Sequence, residues 1–102
     1  LSTMDILKNP QDLSFIDTIL ERHDYIYTTL CLDVFASHIA PGVSAPQVMG
    51  IEPEFVFNAL KKLKQSRKVI SLDIVELSPP FDQDQRTAKL AAHLLLHFMS
   101  TT

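Results

Sequence analysis

The stretch from Val69 to Pro80, Val-Ile-Ser-Leu-Asp-Ile-Val-Glu-Leu-Ser-Pro-Pro, is apolar and β-branched, carries two carboxylates and stops at a double proline. Such side chains fit a pleated, buried surface, and Pro79 and Pro80 have no N–H to give a ladder. The run therefore predicts an interior strand over Val69 to Leu77, ending at Ser78. Asp73 and Glu76 are the anomaly. A strand buried on both faces should be almost purely apolar, and an unpaired carboxylate there costs several kcal/mol. Alternation along a strand sends Asp73 and Glu76 to opposite faces, so they cannot share one task. Glu76 stands near the carboxyl end, where open α/β sheets place their ligands, and is the candidate site residue. Asp73 lies deep in the strand and is expected to meet a buried Arg or a set of backbone N–H groups.

A second apolar run, Tyr25 to Asp33, begins aromatic and β-branched and reads as a buried parallel strand that also ends in a carboxylate. Cys31 and Asp33 are two apart, so on a strand both project from one face at its carboxyl end, where they could offer two ligands to one metal. The plainer reading is a small buried thiol followed by a loop-capping aspartate.

The rest of the chain is punctuated lightly, with two glycines and six prolines in 102 residues. Leu1 to Pro10 shows no clear period and opens without an initiator methionine, which is read as a cut through something longer. From Asp12, a plausible N-cap, the residues Leu13, Phe15, Ile16, Ile19 and Leu20 recur at helical spacing to about His23. Val34 to Gly50 is a long loop holding Ala-Pro-Gly-Val-Ser-Ala-Pro at Ala40 to Pro46, and ordered loops of that length are more often functional than decorative. His38 within it is a possible ligand or acid–base group, though a loop histidine is more commonly just solvated.

A helix starts near Glu52-Pro53, with Phe55, Val56, Ala59, Leu60 and Leu63 on one face, and ends in the basic run Lys61, Lys62, Lys64, Arg67 and Lys68. These cations read as solvated charges at the negative end of the helix. The crossover rule makes the two strands parallel neighbours with both carboxyl ends at one crevice. A last helix spans about Gln85 to Met99, capped by Asp82 or Asp84. His93 and His97 lie at i, i+4 on it but continue a polar line begun by Lys89, with no acidic partner between them.

The net charge of -3 without a Lys/Arg stripe argues against nucleic acid and acidic membrane as partners. A single cysteine allows no internal disulfide, and no stretch resembles a signal peptide or a membrane span. A cytoplasmic location is expected.

Leu72-Asp-Ile-Val-Glu-Leu-Ser-Pro-Pro-Phe-Asp82, followed by Arg86-Thr-Ala-Lys-Leu-Ala-Ala92, resembles the carboxyl-terminal block of the ureohydrolases, the family of arginase, agmatinase and formimidoylglutamase. Tyr27 to Pro46 is similar to that family's metal strand and following loop, with the Asp-x-Asp pair of that strand falling on Cys31 and Asp33. The Ala-Pro-Gly-Val-Ser-Ala-Pro and Asp-Gln-Arg-Thr-Ala wording is most similar to the formimidoylglutamase branch. The resemblance covers about four fifths of this chain and only the last third of a typical member. It implies an α/β fold, a three-layer α/β/α arrangement with a parallel sheet, of which residues 1–102 would be a C-terminal fragment and an incomplete domain.

It also implies a dinuclear Mn²⁺ hydrolase of linear amidines, in that branch releasing formamide and glutamate from N-formimidoyl-L-glutamate during histidine breakdown. Two metals lower the pKa of a bridging water so that hydroxide attacks the amidine carbon. By resemblance, Asp33 would be a manganese ligand, Cys31 would stand in the place of the second aspartate, and Glu76 would bind the cationic formimino group. A thiolate is a poor bridge for a hard cation, which makes Cys31 the departure from the pattern. The family's other ligands, a His and an Asp-x-His-x-Asp cluster, have no counterpart between Leu1 and Tyr25, so the chain by itself is expected to be inactive with its metal absent or partial. Agmatinase or another guanidino hydrolase is the alternative within the class. Outside it stands a non-catalytic chain that self-associates, since two strands leave sheet faces and edges uncovered and a homo-oligomer would cover them.

Overall fold

The computed structural model describes residues 1–100 as one α/β unit built on two parallel strands, β1 (Ile26–Cys31) and β2 (Val69–Val75). Four α-helices accompany them: α1 (Thr3–Lys8), α2 (Ser14–Arg22), α3 (Pro53–Gln65) and α4 (Arg86–Ser100). The register runs from Tyr27 beside Ser71 to Cys31 beside Val75, with an irregularity between Ile26 and Tyr27. The parallel pairing that the crossover rule requires is present.

α1 lies where the sequence shows no period. Its signal is local: the Ser2 hydroxyl accepts the Asp5 N–H while the Asp5 carboxylate accepts the Ser2 N–H, a reciprocal cap on a single short turn. α2 begins one residue later than an Asp12 N-cap predicts, and the Asp12 carboxylate accepts the Ser14 N–H from ahead of the helix. That bond to Ser14 holds the Asp12 carboxyl below its ordinary value. Three of the basic residues around the end of α3 meet other segments: Lys62 pairs with Asp17 of α2 at 2.9 Å, Lys64 stands 4.8 Å from the Phe98 ring centre, and Lys68 donates to the Leu20 carbonyl. These three tie α3 and β2 to their neighbours, whereas Lys61 and Arg67 are exposed, as the solvated reading of the run expects.

The core gathers Leu30, Leu32, Phe35, Ala40, Val43, Ile51, Phe55, Val56, Leu60 and Leu94, with Leu72, Ile74 and Leu90 packed against it. α2, α3 and α4 thus share the sheet face that carries Leu30, Leu72 and Ile74, and the Phe15 and Phe55 rings stack between α2 and α3. The other face is bare. Tyr27 is 62% exposed, Thr29 is exposed, and Ser71 and Asp73 are half-buried there. The described residues therefore supply the sheet and one helical layer. On that open face the Tyr27 phenol donates to the Asp73 carboxylate, the diagonal cross-strand neighbour, and this bond, chiefly, raises the Tyr27 pKa. Asp73 therefore meets a phenol where a buried Arg or backbone N–H groups were expected, because its face of the strand is not buried.

The segment between β1 and α3 is held by the core rather than draped over it. Phe35 and Ala40 are wholly buried, and short parallel bridges join Phe35 to Ile51 and Ala36 to Gln47. Gly50 makes this possible: a β-carbon there would lie 2.1 Å from the Ala36 nitrogen. No helix among the described residues is long and apolar enough to cross a membrane.

Candidate active site

Both strands end sooner than their apolar runs predict, and that shapes the carboxyl edge. β1 stops at Cys31, and Asp33 sits in a single 3-10 turn, Leu32–Val34, whose middle residue swings back under the strand end. The Cys31 thiol donates to the Asp33 carboxylate at 2.8 Å, so the two side chains do share one place. The turn brings them together, where strand alternation had been expected to do so.

β2 stops at Val75, and Glu76 follows it with φ 75, in the left-handed region that an L side chain adopts at a cost of about 1 to 2 kcal/mol. Its orientation is therefore set by this turn and not by the pleat, so the alternation argument does not reach it. Glu76 is exposed, at the same edge as Cys31, whose strand partner Val75 immediately precedes it. Partial burial, the bond to Asp33 and the charges of Asp33 and Glu76 together raise the Cys31 thiol, which keeps it protonated.

Three of the residues singled out by the sequence are thus assembled at one edge. His38 is not among them: its side chain is exposed, and its carbonyl accepts from Arg86 at 3.4 Å. His97 stacks edge-on against Phe57 at 5.2 Å, between α3 and α4, far from any ligand role.

The sequence reading missed what holds the edge. Ser78 N–H donates to the Gly42 carbonyl at 2.6 Å, and Gly42 N–H donates to the Thr87 hydroxyl at 2.8 Å. Thr87 is wholly buried in the first turn of α4. Asp82 caps that helix as expected, but by a longer reach: its carboxylate accepts from the N–H groups of Gln83, Thr87 and Ala88 at 2.9, 3.0 and 3.1 Å. Left-handed Asp84 and Gln85 let the chain loop back beneath it. Burial by itself would raise the Asp82 carboxyl, yet bonds from the Thr87 N–H and hydroxyl, Ala88 N–H and Gln83 N–H outweigh it and hold the carboxyl below its ordinary value.

Manganese wants several hard oxygen or imidazole ligands. Asp33 offers one such group, Cys31 offers a protonated sulfur, and among the described residues no three His, Cys, Asp or Glu side chains are grouped to hold a metal ion. By themselves these residues do not fit a manganese pair.

The comparisons agree with this topology. The formimidoylglutamase of Legionella pneumophila (strain Lens) is 47% identical over 103 residues, which cover 99% of this chain and 32% of that protein. That of Clostridium tetani is 49% identical over 86 residues, 84% of this chain and 25% of its own length. Among solved structures, the formimidoylglutamase of Bacillus subtilis superposes with a TM-score of 0.89 at 26% identity, over 99% of this chain and 33% of that one. The agmatine ureohydrolase of Thermoplasma volcanium gives 0.86 at 30% identity, over 98% and 33%. The chain spans about a third of the length of these relatives. The pattern of the arginase family matches residues 2–100, and the chain belongs to that family.

Proposed function

We propose that the chain is the C-terminal part of a formimidoylglutamase, the hydrolase that adds water to the amidine carbon of N-formimidoyl-L-glutamate and breaks the bond to the glutamate nitrogen, leaving formamide and glutamate. The observation that carries this reading is the 47% identity to the Legionella pneumophila enzyme across nearly the whole chain. The edge geometry supports it. Glu76 presents an exposed carboxylate, and a planar amidinium can give such a group two parallel N–H bonds. Asp33 is the hard oxygen ligand that this chain can lend to a metal held mainly by other residues. Because no further ligands are grouped with it among the described residues, on this reading the 102-residue chain by itself is expected not to turn over substrate.

Titration of the isotopically labelled chain with formamidinium chloride tests the assignment of Glu76. Shift changes centred on Glu76 and its neighbours, lost in Glu76→Gln, are expected. Changes centred on Asp73, or none at any concentration, would refute it. Formamide release by the 102-residue chain with Mn²⁺ would overturn the incomplete-site reading.

A second reading, a non-catalytic chain that self-associates, is favoured by the bare sheet face, where Tyr27 is 62% exposed and Thr29 is exposed. Sedimentation velocity across a concentration series separates the two.

A further inference from the structure

Glu76 is held in a strained conformation at the end of β2, and nothing in its own segment explains why it stays there. A change of φ from 75 to the ordinary negative range would turn the Glu76 side chain about the end of β2 and so change where its carboxylate stands at this edge. The restraint comes two residues later. Ser78 N–H is pinned to the Gly42 carbonyl, Gly42 N–H is pinned to the Thr87 hydroxyl, and Thr87 is fixed through its own N–H by Asp82. Gly42 also packs so closely on Asp82 that a β-carbon would stand 2.8 Å from its Cγ. Three segments distant in sequence therefore meet at Gly42: its own loop after β1, the turn after β2 through the Gly42 carbonyl, and the first turn of α4 through the Gly42 N–H.

Resting on the reading of Glu76 as the substrate-holding carboxylate, we propose that Thr87 is a positioning residue, whose hydroxyl anchors the Gly42 N–H to α4 and so steadies the Gly42 carbonyl that holds the Ser78 segment, and with it Glu76, at the carboxyl edge. It touches no substrate. Its effect passes through Gly42 and Ser78 to the backbone of Glu76, which is where a hydroxyl and no other small group is required. Valine has the same branched shape and lacks the acceptor that Gly42 needs; serine keeps it.

The test is nuclear magnetic resonance on the full chain and reads the backbone, so absence of hydrolase activity would count against the functional reading without touching this one. In the parent chain, φ-sensitive couplings report a positive φ at Glu76, and the Gly42 and Ser78 amides exchange in one opening event with a shared denaturant dependence. In Thr87→Val the two amides exchange about tenfold faster or more and the Glu76 coupling averages, while Leu30 and Leu72 in the paired strands are unaffected. Thr87→Ser restores both signals. Unchanged Gly42, Ser78 and Glu76 signals in Thr87→Val overturn the proposal. If that variant does not fold, independent opening of the Gly42 and Ser78 amides in the parent chain overturns it equally.

Discussion

Asp73 and Glu76 are three residues apart, and the structure gives them opposite circumstances. Asp73 lies within β2 in regular extended backbone, half-buried on a sheet face that no helix covers, and its carboxylate is met by the Tyr27 phenol. Glu76 lies just past the strand in left-handed backbone, exposed, beside a thiol–carboxylate pair contributed by the other strand. The first carboxylate is satisfied by a cross-strand neighbour and needs no further partner. The second is held at an energetic cost by bonds from two other segments and is left open to solvent. Left-handed backbone at Arg67 and Asp84 only turns the chain, whereas at Glu76 it sets an exposed carboxylate at the sheet edge that Cys31 and Asp33 also reach, and the combination distinguishes the site.

The largest expected effect comes from the core on which the loop after β1 is seated. Phe35, at the start of the loop after β1, is wholly buried in the core, and Phe35→Ala should cost about 3 to 5 kcal/mol in denaturant unfolding. A loss near 1 kcal/mol would mean that the loop is not part of the core.

Next comes the contrast itself, read in a chimera that carries this chain in place of the matching segment of the Legionella pneumophila relative. Glu76→Gln should lower kcat/KM by roughly 30- to 160-fold, the equivalent of about 2 to 3 kcal/mol for a lost charged hydrogen bond. Asp73→Asn should leave it within about twofold, as expected of a surface polar change far from the reacting group. Equal losses would erase the distinction between the two carboxylates.

Asp82→Ala should cost about 1 kcal/mol through loss of the α4 cap. Because the folded carboxyl titrates below its unfolded value, its contribution is complete above about pH 4 and disappears as pH falls through the folded value. The variant should accordingly lose less stability than the parent on acidification.

The smallest effect belongs to Tyr27→Phe. The Tyr27 pKa is raised in the folded chain by the bond to Asp73, so its stabilisation is present below about pH 10 and lost as pH rises through the folded value. Only that alkaline limb of the stability profile should change, with the Glu76 region untouched.

The parallel strands, the two amphipathic helices flanking β2 and the edge location of Asp33, Cys31 and Glu76 were all legible, because periodicity, proline punctuation and crossover handedness are properties of the chain itself. The resemblance in the segments around Asp33 and Glu76 named the family that the comparison shows. What was not legible depends on contacts between distant segments. Tyr27 could not be matched to Asp73 before the register was known, and the roles of Gly42, Ser78 and Thr87 exist only once loop, turn and helix meet. Asp33 and Glu76 were placed inside strands by apolar runs that continue past the last ladder residues, since sequence composition does not register where pairing stops.

The central claim is that this carboxyl edge holds an amidine substrate through Glu76. Its most direct test is steady-state product analysis of the folded chimera with N-formimidoyl-L-glutamate, arginine and agmatine side by side in Mn²⁺ buffer. The account predicts formamide from the first substrate, far less urea from the other two, and loss of formamide release in Glu76→Gln. A folded chimera that releases urea from agmatine or arginine in preference, or one whose formamide release survives Glu76→Gln, would contradict it.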